Sequence, residues 1–307
     1  MVFTPEKLER AAFAEKAELE ARVKIQQGGI ATYFDVFLGK FLDQLARSSS
    51  LHHWQVAPQY ISPVRKLVRK LRRDGKEAEQ IRFSTELQWL VNYLENKAEG
   101  RFVSYDTRVK KCRAGQESDI RSPERMMSQG KSECLTWKGS MLFKTVFDFA
   151  ILPMLLSELR PATILEIGSG TGASAKWMAD LVQLLGLSAE VYSTDKDRIE
   201  EQYAGVHFLS GDCCSPKSLF PVELLRDAPR PYLVLEDAHI NVAEVLCYID
   251  RFLIKGDYLL VEDSLLKGDA LNALLRRRPQ SYLVDTRYTD YFGRNATSAI
   301  NSIFVRG

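Results

Sequence analysis

Two short stretches of this 307-residue chain carry acids at positions that could do chemistry. Leu235-Glu236-Asp237-Ala238-His239 closes one β-branched run, and Val261-Glu262-Asp263 closes another. If the two runs are neighbouring strands, Glu236, Glu262 and Asp263 converge on one spot. Carboxylates so close repel unless a cation or protons intervene. An oxygen-rich acidic site suits Mg²⁺ or another divalent cation, with waters and substrate oxygens completing the octahedron. The metal would polarise a substrate hydroxyl and lower its pKa. His239 follows Glu236 by three residues. A neutral imidazole there can take the hydroxyl proton as a general base.

A third stretch, Glu166-Ile-Gly168-Ser169-Gly170-Thr-Gly172, joins a β run to a helical one. Glycines let the backbone turn sharply and approach a ligand closely. The helix start that follows offers free N–H groups. The bare pattern Gly168, Gly170, Ala173 also suits a dinucleotide. Other features favour S-adenosylmethionine. Glu166 stands two residues before Gly168, placed for the ammonium of a methionine moiety, and Gly172 extends the loop to G-x-G-x-G. Asp195, about 29 residues after Glu166, ends the next β run and is placed for two ribose hydroxyls. Asp212, after Gly211, is placed to accept from the adenine amine. Ser169 and Glu236 complete the expected donor contacts. Together these residues resemble the class I S-adenosylmethionine-dependent methyltransferase pattern. The acidic pieces resemble catechol O-methyltransferases, which are Mg²⁺-dependent. In this chain Glu236 replaces that family's first Asp, His239 stands at its Lys, and Glu262-Asp263 replaces its Asp-Asn pair.

Upstream of the loop, Trp137-x-Gly139 is followed by Lys144, Asp148 and Leu159-Arg160-Pro161. With acid-x-x-His and Val-Glu-Asp further on, this run is similar to the cephalosporin hydroxylase family, which includes rhamnosyl O-methyltransferases. The resemblance covers about 135 to 307. It implies Mg²⁺-dependent O-methylation of a small molecule, natural product or sugar. It carries the metal acids onto Glu236, Glu262 and Asp263, and it implies a homo-oligomer.

These residues need a scaffold that brings strand ends together. Short β-branched runs at 163–167, 190–194, 206–209, 232–235 and 258–261 alternate with helical patterns at 172–185, 240–254 and 268–277. Strands at 281–285 and 300–305 close the chain. That alternation predicts an α/β, Rossmann-like class I methyltransferase sheet, mostly parallel with an antiparallel last strand. Ligands on such sheets sit at the carboxyl ends of the strands. Residues 1–135 read as a helical N-terminal region, for oligomerisation or as a substrate lid, and 136–307 as the methyltransferase domain. Helices are expected over 4–27, 31–47, 63–73 and 84–97, with a long loop over 104–133.

Composition narrows the class. Forty-two basic against forty acidic side chains leave +2, which argues against a dedicated polyanion binder. The basic residues of 63–73 have no aromatic interleaved and read as a solvated or interface face. A nucleic-acid or amino methylase is the weaker reading, because the fourth strand lacks the [DNS]-P-P-[YFW] end. A non-catalytic scaffold is weaker still, given intact acids and glycines. Five cysteines without repeated spacing suggest reduced thiols in a cytoplasmic protein. No apolar run approaches a membrane span. His207, inside a predicted strand, reads as a satisfied core histidine. Tyr288, Tyr291, Phe292 and Arg294 read equally as acceptor contacts or as core.

Overall fold

The computed structural model describes residues 100–111, 118–197, 199–278 and 281–307. The expected helices at 4–27, 31–47, 63–73 and 84–97 lie outside the described residues. The chain divides into two compact units, Met1–Gly100 and Arg101–Gly307. Apart from Gly100, the described residues belong to the second unit.

Its strands are β1 (Phe102–Ser104), β2 (Thr136–Trp137), β3 (Ser140–Met141), β4 (Thr163–Ile167), β5 (Glu190–Asp195), β6 (Val206–Ser210), β7 (Tyr232–Glu236), β8 (Tyr258–Val261), β9 (Tyr282–Asp285) and β10 (Ile303–Arg306). Its α-helices, among the described residues, are α1 (Tyr105–Lys111), α2 (Ser122–Met127), α3 (Val146–Leu159), α4 (Ala173–Leu184), α5 (Val222–Asp227), α6 (Val242–Ile249), α7 (Gly268–Arg277) and α8 (Thr286–Thr289). Eight strands form one sheet in the order β1-β9-β10-β8-β7-β4-β5-β6. The pairs β4–β5, β4–β7, β5–β6 and β7–β8 are parallel. β10 runs antiparallel to both β8 and β9, as expected for the last strand.

β4 (TILEI) and β7 (YLVLE) are buried at every position. A parallel strand covered on both faces reads as a near-continuous apolar run for this reason. Alternation then sorts the side chains. Ile164, Leu233, Leu235, Tyr258 and Leu260 face one core, which includes α3 and α4. Leu165, Ile167, Tyr232, Val234, Leu259 and Val261 face the other, with α6 and α7.

The sheet unit begins at Arg101, earlier than the expected boundary at 135/136. β1 adds an edge strand against β9, with Phe102 opposite Asp285. The segment expected as a long loop over 104–133 therefore carries α1 and α2. Its anchor is Arg108, fully buried. Arg108 donates to Asp290 Oδ1 and Oδ2 at 2.7 Å each and to Asn301 Oδ1 at 2.9 Å. The buried guanidinium pins α1 onto the chain beyond α8. No hydrophobic period announces a contact made by one charged side chain.

His207 is not a core residue. It sits on the edge strand β6, half its side chain in solvent, hydrogen-bonded to Glu190 at 3.0 Å and stacked on Tyr192. Among the described residues, no helix is long and apolar enough to cross a membrane.

Candidate active site

At the carboxyl ends of β4, β5, β7 and β8 lies a cavity of about 710 Å³. Gly168, Ser169, Gly170 and Thr171 form one wall. Gly168 has φ +99°, and a Cβ there would stand 2.9 Å from the backbone of Asp237 and Ala238. Only glycine allows that approach of the β4 loop to the β7 end. Thr171 donates to the Met141 carbonyl at 2.6 Å, tying the loop to the β2–β3 hairpin. The hairpin is held by Trp137, whose indole donates to Asp180 on α4 at 2.8 Å. Asp195 Oδ2 accepts from the Gly170 N–H at 2.9 Å, and Asp212 Oδ1 accepts from the Cys214 N–H at 2.8 Å.

Gly168, Ser169, Gly170, Asp195, Asp212, His239 and Asp263 line the cavity as the sequence suggests. Glu166, Gly172, Glu236 and Glu262 do not. The reason is the strand period of two. Ile164 and Glu166 share a face of β4, Leu235 and Asp237 a face at β7, and Leu260 and Glu262 a face at β8. Glu236 points to the opposite face, where Lys267 Nζ holds its Oε2 at 2.8 Å and the Ala238 N–H its Oε1 at 3.1 Å. The expected convergence of Glu236, Glu262 and Asp263 is thus corrected. Glu236 is fully buried on the other side of the sheet, and Glu262 is buried against Lys144.

Lys144, 2% exposed, was missed as a site residue by sequence reasoning. Its Nζ lies 2.7 and 2.6 Å from the two oxygens of Glu262 and 3.0 Å from Asp237 Oδ2. Burial alone would pull this ammonium down. Asp237, Glu262 and Glu166 outweigh that and hold Lys144 well above its ordinary value. Burial likewise opposes ionisation of Asp237, but Lys144 and the His239 hydrogen bond keep its carboxyl well below the usual range. Burial pushes Glu166 up, against Lys144 and a 2.5 Å hydrogen bond from Ser193. Glu166 Oε1 and Ser174 Oγ are buried without a hydrogen bond at the foot of the glycine loop.

Facing the cavity are Asp237, His239 and Asp263. One ligand atom from each lies within 4.8 Å of the others. His239 Nε2 is 3.4 Å from both Asp237 Oδ1 and Asp263 Oδ2. The Asp237 hydrogen bond raises the imidazole pKa despite partial burial. His239 (φ +60°) and Asp263 (φ +46°) are both in the left-handed region, which turns their side chains out of the strand alternation. Non-glycine residues held there cost of order 1–3 kcal/mol, and such strain clusters at functional sites. Of the aromatic segment near the C-terminus, Tyr288 is buried and donates to Glu158 at 2.5 Å, and Arg294 bonds the Arg108 carbonyl at 3.0 Å. These two are structural, while Tyr291 and Phe292 are exposed outside the cavity wall.

A mostly parallel sheet with an antiparallel strand inserted next to its last parallel one, and a glycine loop after its central strand, defines a class I S-adenosylmethionine-dependent methyltransferase. Residues 129–280 match the family described as Rhamnosyl O-methyltransferase/CmcI. The rhamnosyl O-methyltransferase of Mycobacterium leprae (strain TN) is 28% identical over 192 residues, 56% of this chain and 82% of that protein. Its counterpart from Mycobacterium tuberculosis (strain ATCC 25618 / H37Rv) is 26% identical, over 56% of this chain and 78% of its own length. A solved CmcI structure with SAH covers 66% of this chain and 91% of its own at 24% identity and a TM-score of 0.46. A CmcI structure carrying Mg and SAM covers 71% and 95% at 22% identity and a TM-score of 0.44.

Proposed function

We propose that this chain methylates a hydroxyl of a small molecule, natural product or sugar, using S-adenosylmethionine and a divalent cation such as Mg²⁺. One observation carries the reading: the glycine loop and the Asp237–His239–Asp263 cluster meet in a single cavity. Relatives named rhamnosyl O-methyltransferases favour a sugar hydroxyl as acceptor.

The residues fit both groups. The glycine-loop backbone, Asp195 and Asp212 would hold the donor, with the orphaned oxygens of Glu166 and Ser174 beneath it. The donor supplies an electrophilic sulfonium methyl. Asp237 and Asp263 offer the carboxylate oxygens that a hard cation takes. The cation supplies a charge that favours the alkoxide form of an acceptor hydroxyl. His239 would take the hydroxyl proton at Nε2 as the acceptor oxygen bonds to the donor's methyl carbon and the carbon–sulfur bond breaks, leaving S-adenosylhomocysteine. Asp237 and Asp263, each 3.4 Å from that nitrogen, stabilise the imidazolium that forms. Lys144 and Lys267 pair with Glu262 and Glu236, so Asp237 and Asp263 are the acids left facing the cavity.

The test is calorimetric titration with S-adenosylhomocysteine, with Mg²⁺ and with chelator, followed by methyl-transfer assays on rhamnosides and other hydroxylated acceptors. Micromolar binding and chelator-sensitive O-methylation are expected. No binding under any condition removes the donor assignment. Transfer that survives chelator removes the cation.

A further inference from the structure

We propose that Lys144 is the positioning residue of the acidic centre: its ammonium grips one oxygen of Asp237 from inside the sheet and thereby presents the other oxygen to the cation. The inference rests on the reading of Asp237 and Asp263 as cation-binding acids, and goes beyond it by assigning what sets their geometry.

Three observations carry it. First, the contacts are divided by atom. Asp237 Oδ2 takes the Lys144 ammonium at 3.0 Å, while Oδ1 faces His239 Nε2 at 3.4 Å. The carboxylate is therefore fixed at one end by Lys144 and turns its other end to the cavity beside His239. Second, Lys144 is itself fixed. The Leu142 N–H bonds the Leu135 carbonyl across the hairpin at 2.7 Å, and the Lys144 N–H bonds the Leu142 carbonyl at 3.0 Å. The next residue, Thr145, caps α3 by accepting from the Asp148 N–H. The backbone that aims the lysine is thus held on both sides. Third, Asp237 and Glu262 are lateral neighbours. The Glu262 N–H bonds the Glu236 carbonyl at 2.9 Å, extending the β7–β8 register to the acids. Without a cation between them, two carboxylates side by side would turn apart. Lys144 reaches both and is 2% exposed, so no solvent ion does this work.

Two effects on cation binding oppose one another. A lysine this close repels a divalent cation. It also removes the rotamer freedom that Asp237 would otherwise lose on binding. Supporting partners of ligating carboxylates are commonly worth about 10–100-fold in metal affinity, and here the ammonium charge is already balanced by Glu262. Positioning therefore dominates.

The probe is Mn²⁺ alone, titrated into the full chain and read by electron paramagnetic resonance, with S-adenosylhomocysteine binding as the check of folding. Lys144→Met is combined with Glu262→Gln, so that no bare carboxylate is buried. The double variant should bind Mn²⁺ at least about tenfold more weakly than wild type. Lys144→Arg should recover part of the loss. Glu262→Gln alone leaves the ammonium less balanced and should weaken Mn²⁺ binding by less than the double variant does. Unchanged or tighter Mn²⁺ binding by the double variant overturns the proposal, because repulsion would then be the larger effect. A loss in Glu262→Gln alone as large as that of the double variant also overturns it, because the effect would then belong to Glu262 and not to Lys144. No Mn²⁺ binding by wild type overturns the cation reading and the clamp together.

Discussion

Glu236 and Asp237 are adjacent in the chain, yet their carboxylates leave the sheet on opposite faces, Glu236 to Lys267 at 2.8 Å and Asp237 to Lys144 at 3.0 Å. Which of the two acids faces the cavity is therefore decided by strand parity. Asp263→Asn should lower Mn²⁺ affinity at least about tenfold, since loss of an outer-shell partner alone commonly costs about that much. Glu236→Gln should lower the melting temperature, because it strips a buried ammonium of its partner, while Mn²⁺ affinity stays near wild type. Titrations of the two variants side by side decide it. The reverse ranking would place the cation on the other face.

Gly168→Ala tests the close approach of the glycine loop to the β7 end. The added Cβ would meet backbone atoms of Ala238 at 2.9 Å at a φ of +99°. Backbone strain alone costs about 1–3 kcal/mol. For a unit of this size that is a fall of several degrees in Tm, at about 2–4 °C per kcal/mol. S-adenosylhomocysteine binding should fall more than tenfold, because the loop must withdraw from the cavity wall. A variant with wild-type Tm and binding would show that the approach is not required.

Arg108→Ala should be among the most destabilising single changes in the described unit. It leaves Asp290 buried without its bidentate partner, and breaking such a pair costs about 3–5 kcal/mol. Arg108→Lys should not restore stability, because a single ammonium cannot reproduce the fork geometry. Denaturant unfolding of both variants measures this, and a fully stable lysine variant would contradict it.

Glu158 gives stability a pH dependence at the edge of the sheet. Burial opposes its ionisation, but hydrogen bonds from Tyr288 and Arg101 prevail and lower its pKa. A carboxyl whose folded pKa lies below its unfolded value stabilises the protein above the unfolded pKa. That contribution is lost as pH falls through the folded value. Glu158→Gln should therefore flatten the decline of Tm between neutral and acidic pH, with the smallest difference from wild type at the acid end. Thermal melts across that range test it. Parallel curves for the two proteins would mean that Glu158 contributes nothing to the acid response.

Much of the fold and the site was legible in the amino-acid order. The runs TILEI, YLVLE and YLLV carry their own length and buried character, because a strand covered on both faces has no polar position to spare. Gly168 and Gly170 marked the loop, and His239 and Asp263 two residues of the cavity wall, because turns and strand ends use distinctive residues. The parity of Glu236 and Asp237 was also present in the alternation of Leu233, Leu235 and Asp237. It is overlooked when a strand end is treated as a point rather than as two faces.

Other features had no local signal. Nothing in the segment after Gly100 predicts an edge strand on β9, since three residues carry too little period to be recognised. Nothing in the order of β8, β9 and β10 places the last strand between the other two. Lys144 and Lys267 lie more than a hundred and about thirty residues from the glutamates they neutralise. The sequence by itself determined the strand–helix alternation, the glycine loop and the chemical types gathered at the strand ends, because these follow from local propensity and patterning. Only the tertiary structure decided which acids face the cavity and which are silenced by lysines. Charge pairing between distant segments depends on how elements pack, and packing is settled by the whole chain.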